Sequence, residues 1–190
     1  MQSHDDSDSS SGWSSSISSV ERSSVIEPIF VEDPKEQFTY GNFISNFIEE
    51  KEAVLGSSHG EFAASRAPGS LFINFGCQDI ITNNVVGWKA HISVDDSDIE
   101  NLARAWDAIK DIFIDEKLVT KVVIPNAGFY KDPVQFGKQI TIYCHATPER
   151  DWQDVFNRIE NALAIEDIKT NGFSPSDKAI IGSKFISYRK

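Results

Sequence analysis

Five side chains in this sequence combine reactive chemistry with positions that can point them at one partner. Lys89 and His91 lie two residues apart in the run WKAHISV at 88–94, and on an extended strand residues i and i+2 leave the same face. A Lys and a His side by side suit an anionic ligand such as phosphate. Lys121 stands among Val119, Val122, Val123 and Ile124, so its ammonium must reach water or enter a polar cleft. A lysine that is desolvated, or set beside other cations, has its pKa lowered and can act as a base near neutral pH. Tyr143 and Arg189 sit in further strand-like runs, and an arginine grips phosphate through two parallel hydrogen bonds. Taken singly, each residue also fits a plain role: the K-x-H pair suits a strand with a solvated polar face, and the others suit structural positions.

The elements that must carry these residues follow from hydrophobic spacing. Apolar residues at Phe43, Ile44, Phe47 and Ile48 predict an amphipathic helix within 38–55. Residues 57–69, with Gly60, Pro68 and Gly69, predict a loop, and Leu71–Phe75 a short strand. Strict alternation over 88–94 predicts a half-buried strand. Asp95, Asp96 or Ser97 then caps a helix with Ile99, Leu102, Ala103, Trp106, Ile109 and Phe113 at helical spacing.

Residues 118–124 are β-branched and strand-like, ending at Pro125. Residues 139–145 predict a strand with Gln139, Thr141, Tyr143 and His145 on one face and Ile140, Ile142 and Cys144 on the other. Thr147-Pro148 predicts the start of a helix bearing Trp152, Val155, Phe156, Ile159 and Leu163, and residues 184–189 a closing strand. Strands alternate with helices after residue 71, which predicts an α+β layer fold, a twisted mixed or antiparallel sheet with helices packed against it.

At 190 residues with 40% hydrophobic content, the chain is long enough for one domain with a real core. Residues 1–30 form a Ser-rich, acidic segment with little to bury, predicted to be a disordered tail, and 31–190 the folded domain. The net charge of -11 argues against general binding to nucleic acid or anionic membranes, so an anionic ligand requires a local basic cluster. Residues 1–62 hold twelve acidic and three basic residues, so the acidity lies mostly in the front third. Cys77 and Cys144, each within an apolar run, read as buried free thiols in a reducing compartment. No stretch reaches the length of a membrane span, and residues 1–12 lack the features of a Sec-type signal peptide. His4 and His59 fall in predicted loops and His145 lacks neighbours at metal-ligand spacing, so no metal site is predicted.

The motifs KAHIS at 89–93, Lys121, QITIY at 139–143 and SYR at 187–189 resemble those of the phosphothreonine lyases. These are type III effectors of the OspF and SpvC kind, related to lyase domains of some lanthipeptide synthetases. The separations from His91 to Lys121 and from Lys121 to Tyr143 match the family's without a gap. The resemblance covers roughly residues 70–190.

It implies a cofactor-free β-elimination. Lys121 would remove the α-proton of phosphothreonine and His91 would protonate the departing phosphate. Lys89 would stabilise the enolate-like charge on the substrate carbonyl and help hold phosphate, Tyr143 would assist binding and proton placement, and Arg189 would grip phosphate. The implied partner is a phosphorylated protein or peptide, with a host mitogen-activated protein kinase as one candidate, although no basic kinase-docking motif stands in the acidic amino-terminal region. The implied setting is that of a secreted effector acting in host cytoplasm, or a cytoplasmic protein.

The sequence departs from the family at two points. Pro133 stands where the family carries a phosphate-binding arginine, with Lys131 and Lys138 the nearest cations; the expectation is that Lys131 turns inward to compensate. A further family arginine would fall beyond Lys190, which suggests a piece of a longer protein.

Two other readings compete. One is a phosphopeptide-binding pseudoenzyme, which needs cations but no paired base and acid. The other is a cysteine-dependent phosphatase, since Cys144–Arg150 has C-x5-R spacing. That loop has no glycine, and Pro148 has no N–H to donate to phosphate.

Overall fold

The computed structural model describes residues 33–49, 54–56, 61–77, 87–146 and 150–190. The segment 1–30, read above as a tail, lies outside them. Two short helices open the described chain, α1 (Pro34–Gln37) and α2 (Tyr40–Phe43), followed by a π-helical turn, Ile44–Glu49. Asp33 caps α1 by accepting from the Lys35 N–H, with Pro34 as its first residue, and Thr39 caps α2 by accepting from the Asn42 N–H. The amphipathic helix predicted within 38–55 is present as α2 and its π-helical continuation, Tyr40–Glu49, beginning at the Thr39 cap, while α1 was not predicted. Both helices serve to bury aromatic residues: Phe38, Tyr40 and Phe43 are fully buried.

Strands β1 (Val54–Gly56), β2 (Phe62–Ser65), β3 (Phe72–Cys77) and β4 (Lys89–Ile92) come next, then helix α3 (Ile99–Asp115) and β5 (Thr120–Val123). Strand β6 (Ile140–Ile142), helix α4 (Trp152–Ile165), β7 (Lys178–Ala179) and β8 (Ile186–Arg189) complete the order. Among the described residues the eight strands form one sheet in the order β1-β2-β3-β5-β6-β4-β8-β7, with every neighbouring pair antiparallel. The fold is α+β with an antiparallel sheet.

Several local expectations are corrected. β2 lies within the stretch predicted to be a loop; its FAAS sequence has little β-propensity, and its pairing with β1 and β3 fixes it in the sheet. Helix α3 is capped by Asp98, which accepts from the Glu100 N–H at 3.0 Å. Asp96 is instead taken up by the Phe129 N–H at 2.9 Å and the Gln139 amide at 3.0 Å. Helix α4 starts at Trp152 under an Asp151 cap that accepts from the Gln153 and Asp154 N–H groups; Thr147 and Pro148 lie outside the described residues. The strand predicted to reach His145 ends at Ile142, and Cys144–Ala146 form a 3-10 turn.

One face of the sheet packs against α3 and α4. Ala90, Ile92, Val122, Ile140, Ile142 and Ile186 project from the strands into a core completed by Leu102, Trp106, Ile109, Phe113, Ile159 and Leu163, all at most 1% exposed. Burying each large apolar side chain contributes about 1.5–3 kcal/mol, and two polar groups that enter the core with them find carbonyl partners. The Trp106 indole donates to the Phe38 carbonyl at 2.8 Å, and the Tyr40 hydroxyl donates to the Val123 carbonyl at 2.7 Å. Those two bonds clamp the opening helices to α3 and β5. With one face committed to the core, alternation sends Lys89, His91 and Lys121 to the other.

Candidate active site

Antiparallel register converts positions far apart in sequence into rows across the sheet. Asn74 pairs with Lys121, Lys121 with Thr141, Thr141 with His91, and His91 with Ser187. Directly paired residues project to the same side, so Lys121 and His91 share one row with Thr141 between them. Two strand spacings separate their backbones, roughly 10 Å, which leaves room for a substrate side chain between two long side chains. Lys89 pairs with Arg189 two residues along the same strands. Tyr143 follows β6 on the same side: the Lys89 Nζ lies 5.1 Å and the Lys121 Nζ 6.0 Å from its ring centroid. The five residues singled out from the sequence therefore meet on one face.

The electrostatics of that face are unusual for so acidic a chain. The Lys121 ammonium lies 3.7 Å from the centroid of the Phe72 ring, which itself packs edge-on against Phe129. Burial, reinforced by the charges of Lys89, Arg189 and Lys138, lowers Lys121 from the ordinary 10.5 to about 8. Roughly a tenth of its amine is therefore unprotonated at pH 7, against well under a thousandth for an ordinary lysine, which makes it usable as a base. Burial likewise raises the Tyr143 phenol, which stays protonated and available as a donor.

His91, 2% exposed, has its Nδ1 2.5 Å from Asp177 Oδ2. Ser187 donates to the same carboxylate oxygen at 3.1 Å, and the Ser176 hydroxyl to the other at 3.1 Å. Burial of the Asp177 carboxyl opposes its ionisation, but the hydrogen bonds from His91, Ser176 and Ser187 prevail and hold its pKa low. On His91, burial prevails over Asp177, and the charges of Arg189 and Lys138 add to it, so the imidazole pKa is lowered. Near neutral pH these shifts favour a neutral imidazole facing a carboxylate. This bond fixes the ring with Nδ1 toward Asp177 and leaves Nε2 for other chemistry. An arriving phosphate dianion opposes the effect of the cations and favours the imidazolium.

Asp177 was not among the residues singled out from the sequence. It lies in the loop NGFSPSD at 171–177, where an aspartate before a strand carries no signal beyond turn formation. The second difference concerns Lys131. It is exposed, with its ammonium 4.9 Å from the Tyr130 ring centroid, and does not turn inward. Phe129 in the same 3-10 turn is 1% exposed and anchored through its N–H to Asp96. With three residues per turn, burying Phe129 sends the residue two positions later outward. Lys138 lies inward instead, at 6% exposure.

Cys144 and Arg150, the two ends of the C-x5-R segment, do not have the environments a phosphate loop needs; residues 147–149 between them lie outside the described residues. Cys144 is 2% exposed and burial pushes its thiol up to about 12, the opposite of an activated nucleophile. The Arg150 guanidinium pairs with Glu116 at 2.9 Å. Among the described residues no group of three His, Cys, Asp or Glu is placed to hold a metal ion, and no helix is long and apolar enough to cross a membrane.

No protein-family model and no curated protein matches the chain. Solved structures do match. The type III effector and phosphothreonine lyase OspF from Shigella flexneri superposes with a TM-score of 0.59 at 18% identity, over 80% of this chain and 75% of that one. The Salmonella plasmid virulence C protein SpvC gives 0.62 at 18% identity, over 80% and 72%. The Chromobacterium violaceum VirA (SpvC) phosphothreonine lyase effector gives 0.58 at 20% identity, over 72% and 67%. The chain therefore has the fold of the phosphothreonine lyases.

Proposed function

We propose that the protein is a phosphothreonine lyase that removes phosphate from a phosphorylated protein or peptide by β-elimination, acting on phosphoserine by the same chemistry. The observation that carries this reading is the pairing of a lysine lowered to about 8 with a carboxylate-anchored histidine in one row across the sheet. A phosphopeptide reader needs cations but neither a tuned base nor an oriented imidazole.

In the reaction the neutral Lys121 amine takes the α-proton, and the electrons of that C–H bond form the Cα–Cβ double bond. The Cβ–O bond breaks, and His91 delivers a proton from Nε2 to the departing phosphate oxygen. The products are dehydrobutyrine, or dehydroalanine from phosphoserine, and inorganic phosphate. Lys89 stabilises the charge that develops on the adjacent carbonyl oxygen, an interaction strengthened where water is excluded. Arg189 holds the phosphate, and the Tyr143 hydroxyl donates to the substrate. Asp177 holds the His91 ring and stabilises its imidazolium. Water attacks no atom, so the chemistry of these groups requires no metal.

The test is mass spectrometry of a phosphothreonine peptide after incubation. Elimination removes the elements of phosphoric acid and leaves an unsaturated residue, whereas hydrolysis regenerates threonine. An unchanged peptide that nevertheless binds would replace this reading with that of a phosphopeptide reader.

A further inference from the structure

Lys138 is a buried cation with no ion-paired carboxylate among the described residues. Its ammonium donates to the Val134 carbonyl at 2.5 Å, and among the described residues no carboxylate lies within ion-pairing distance of it. One carbonyl leaves two of its N–H groups to be satisfied, in a residue that is itself only 6% exposed.

The turn that carries Lys138 is built rather than loose. Asp132 Oδ1 accepts from the Val134 and Gln135 N–H groups at 2.8 and 3.2 Å, and the Lys138 N–H closes on the Gln135 carbonyl at 3.0 Å. Gly137 has φ +74°, and a Cβ there would sit 2.6 Å from the Ser174 nitrogen. The turn is therefore pressed against the segment that leads to Asp177, and only glycine permits that approach. Lys138 thus acts electrostatically on the catalytic face: its charge depresses both His91 and Lys121. Lys138 is itself lowered, by burial first and then by Arg189, with Asp177 and Asp132 opposing.

A fixed turn, packed against the segment that leads to Asp177, holds a buried ammonium within electrostatic reach of Lys121, His91 and Arg189 with no ion-paired carboxylate among the described residues, an arrangement suited to an incoming dianion. We propose that Lys138 is a direct phosphate ligand that holds the substrate's phosphate together with Arg189. The assignment rests on the lyase reading for the identity of the phosphate's carrier, but not for the presence of the anion site. Because lysine is a point charge on a flexible stem rather than a planar fork, it contributes charge neutralisation more than orientation. It therefore tightens binding of substrate and transition state alike.

Calorimetric titration of the full chain with inorganic phosphate tests this without turnover, with acetate as the control anion. Lys138→Gln keeps a donor for the Val134 carbonyl but removes the charge, and should weaken phosphate about tenfold to a hundredfold, the loss of one charge-assisted hydrogen bond. Lys138→Arg should restore affinity to within a few-fold, and Lys131→Gln should leave it unchanged. With phosphothreonine peptide, Lys138→Gln should raise KM far more than it lowers kcat. Equal phosphate affinity in wild type and Lys138→Gln, or an equal loss in Lys131→Gln, would overturn the assignment. Should Lys138→Gln fail to fold, the Lys138 side-chain ammonium resonance in the wild-type protein decides: it should shift as phosphate is titrated in, and a stationary signal overturns the proposal. If phosphate binds as described while phosphothreonine peptide is left intact, the lyase reading fails and the anion site stands.

Discussion

Replacing Lys121 with methionine should abolish activity and make the protein more stable. The side chain is half-buried among Lys89, Arg189 and Lys138, and its pKa falls from 10.5 to about 8. At about 1.4 kcal/mol per unit, protonating it in the folded protein costs up to ~3 kcal/mol. Partial solvation, and the attraction of its ammonium to the Phe72 ring at 3.7 Å, reduce this to about 1–3 kcal/mol. Methionine keeps the stem's packing and places a polarizable sulfur near the same ring.

The sign of the pH dependence follows from linkage. Below about pH 8 both folded and unfolded chains carry the charge, so the penalty is complete and the Lys121→Met gain is largest. Between about 8 and 10.5 the folded lysine is neutral and the unfolded one still protonated, and the gain shrinks to nothing as pH rises. Urea unfolding of both proteins at pH 7 and again above pH 10 measures it. A variant no more stable than wild type at pH 7, or a gain that persists unchanged at high pH, would refute the claim that Lys121 is held in a strained, base-competent state.

Other outcomes follow from the same geometry. Lys89→Met removes a charge that lowers Lys121, so the limb of the kcat/KM pH profile near 8 should move upward in the residual activity. His91→Asn should cost about 10²–10⁴-fold in kcat with the fold retained. Asp177→Asn removes the carboxylate that raises His91 against burial, so the imidazolium becomes rarer, and kcat should fall about tenfold to a hundredfold with little change in thermal midpoint. Cys144→Ser should keep turnover within a few-fold, since the thiol is buried in the core and its Sγ donates to the Ile142 carbonyl. Loss of turnover in a folded Cys144→Ser protein would contradict the assignment of the chemistry to Lys121.

What was legible in the sequence was periodic. Alternation in WKAHISV placed Lys89 and His91 on one face, and the isolated charge of Lys121 in a valine-rich run marked it as special. Which residues stand opposite one another was not legible, because strand order β3-β5-β6-β4-β8 is set by non-local pairing that no window of sequence contains. Asp177 reaches His91 across a separation of 86 residues, and its loop looks like any polar turn. The choice between Lys131 and Lys138 depended on a turn locked by Gly137 and on a buried Phe129, both consequences of tertiary contact. β2 escaped notice because FAAS is a strand by virtue of its neighbours rather than its composition.

In an elimination the carbon–oxygen bond of phosphothreonine breaks, rather than the phosphorus–oxygen bond, and the fate of one oxygen atom decides between them. The measurement is turnover of a phosphothreonine peptide in water enriched in the heavy oxygen isotope, followed by mass analysis of the released phosphate. Elimination through Lys121 and His91 predicts phosphate that keeps the threonine oxygen and carries none from solvent. Phosphate bearing one solvent oxygen, alongside regenerated threonine, would contradict the account.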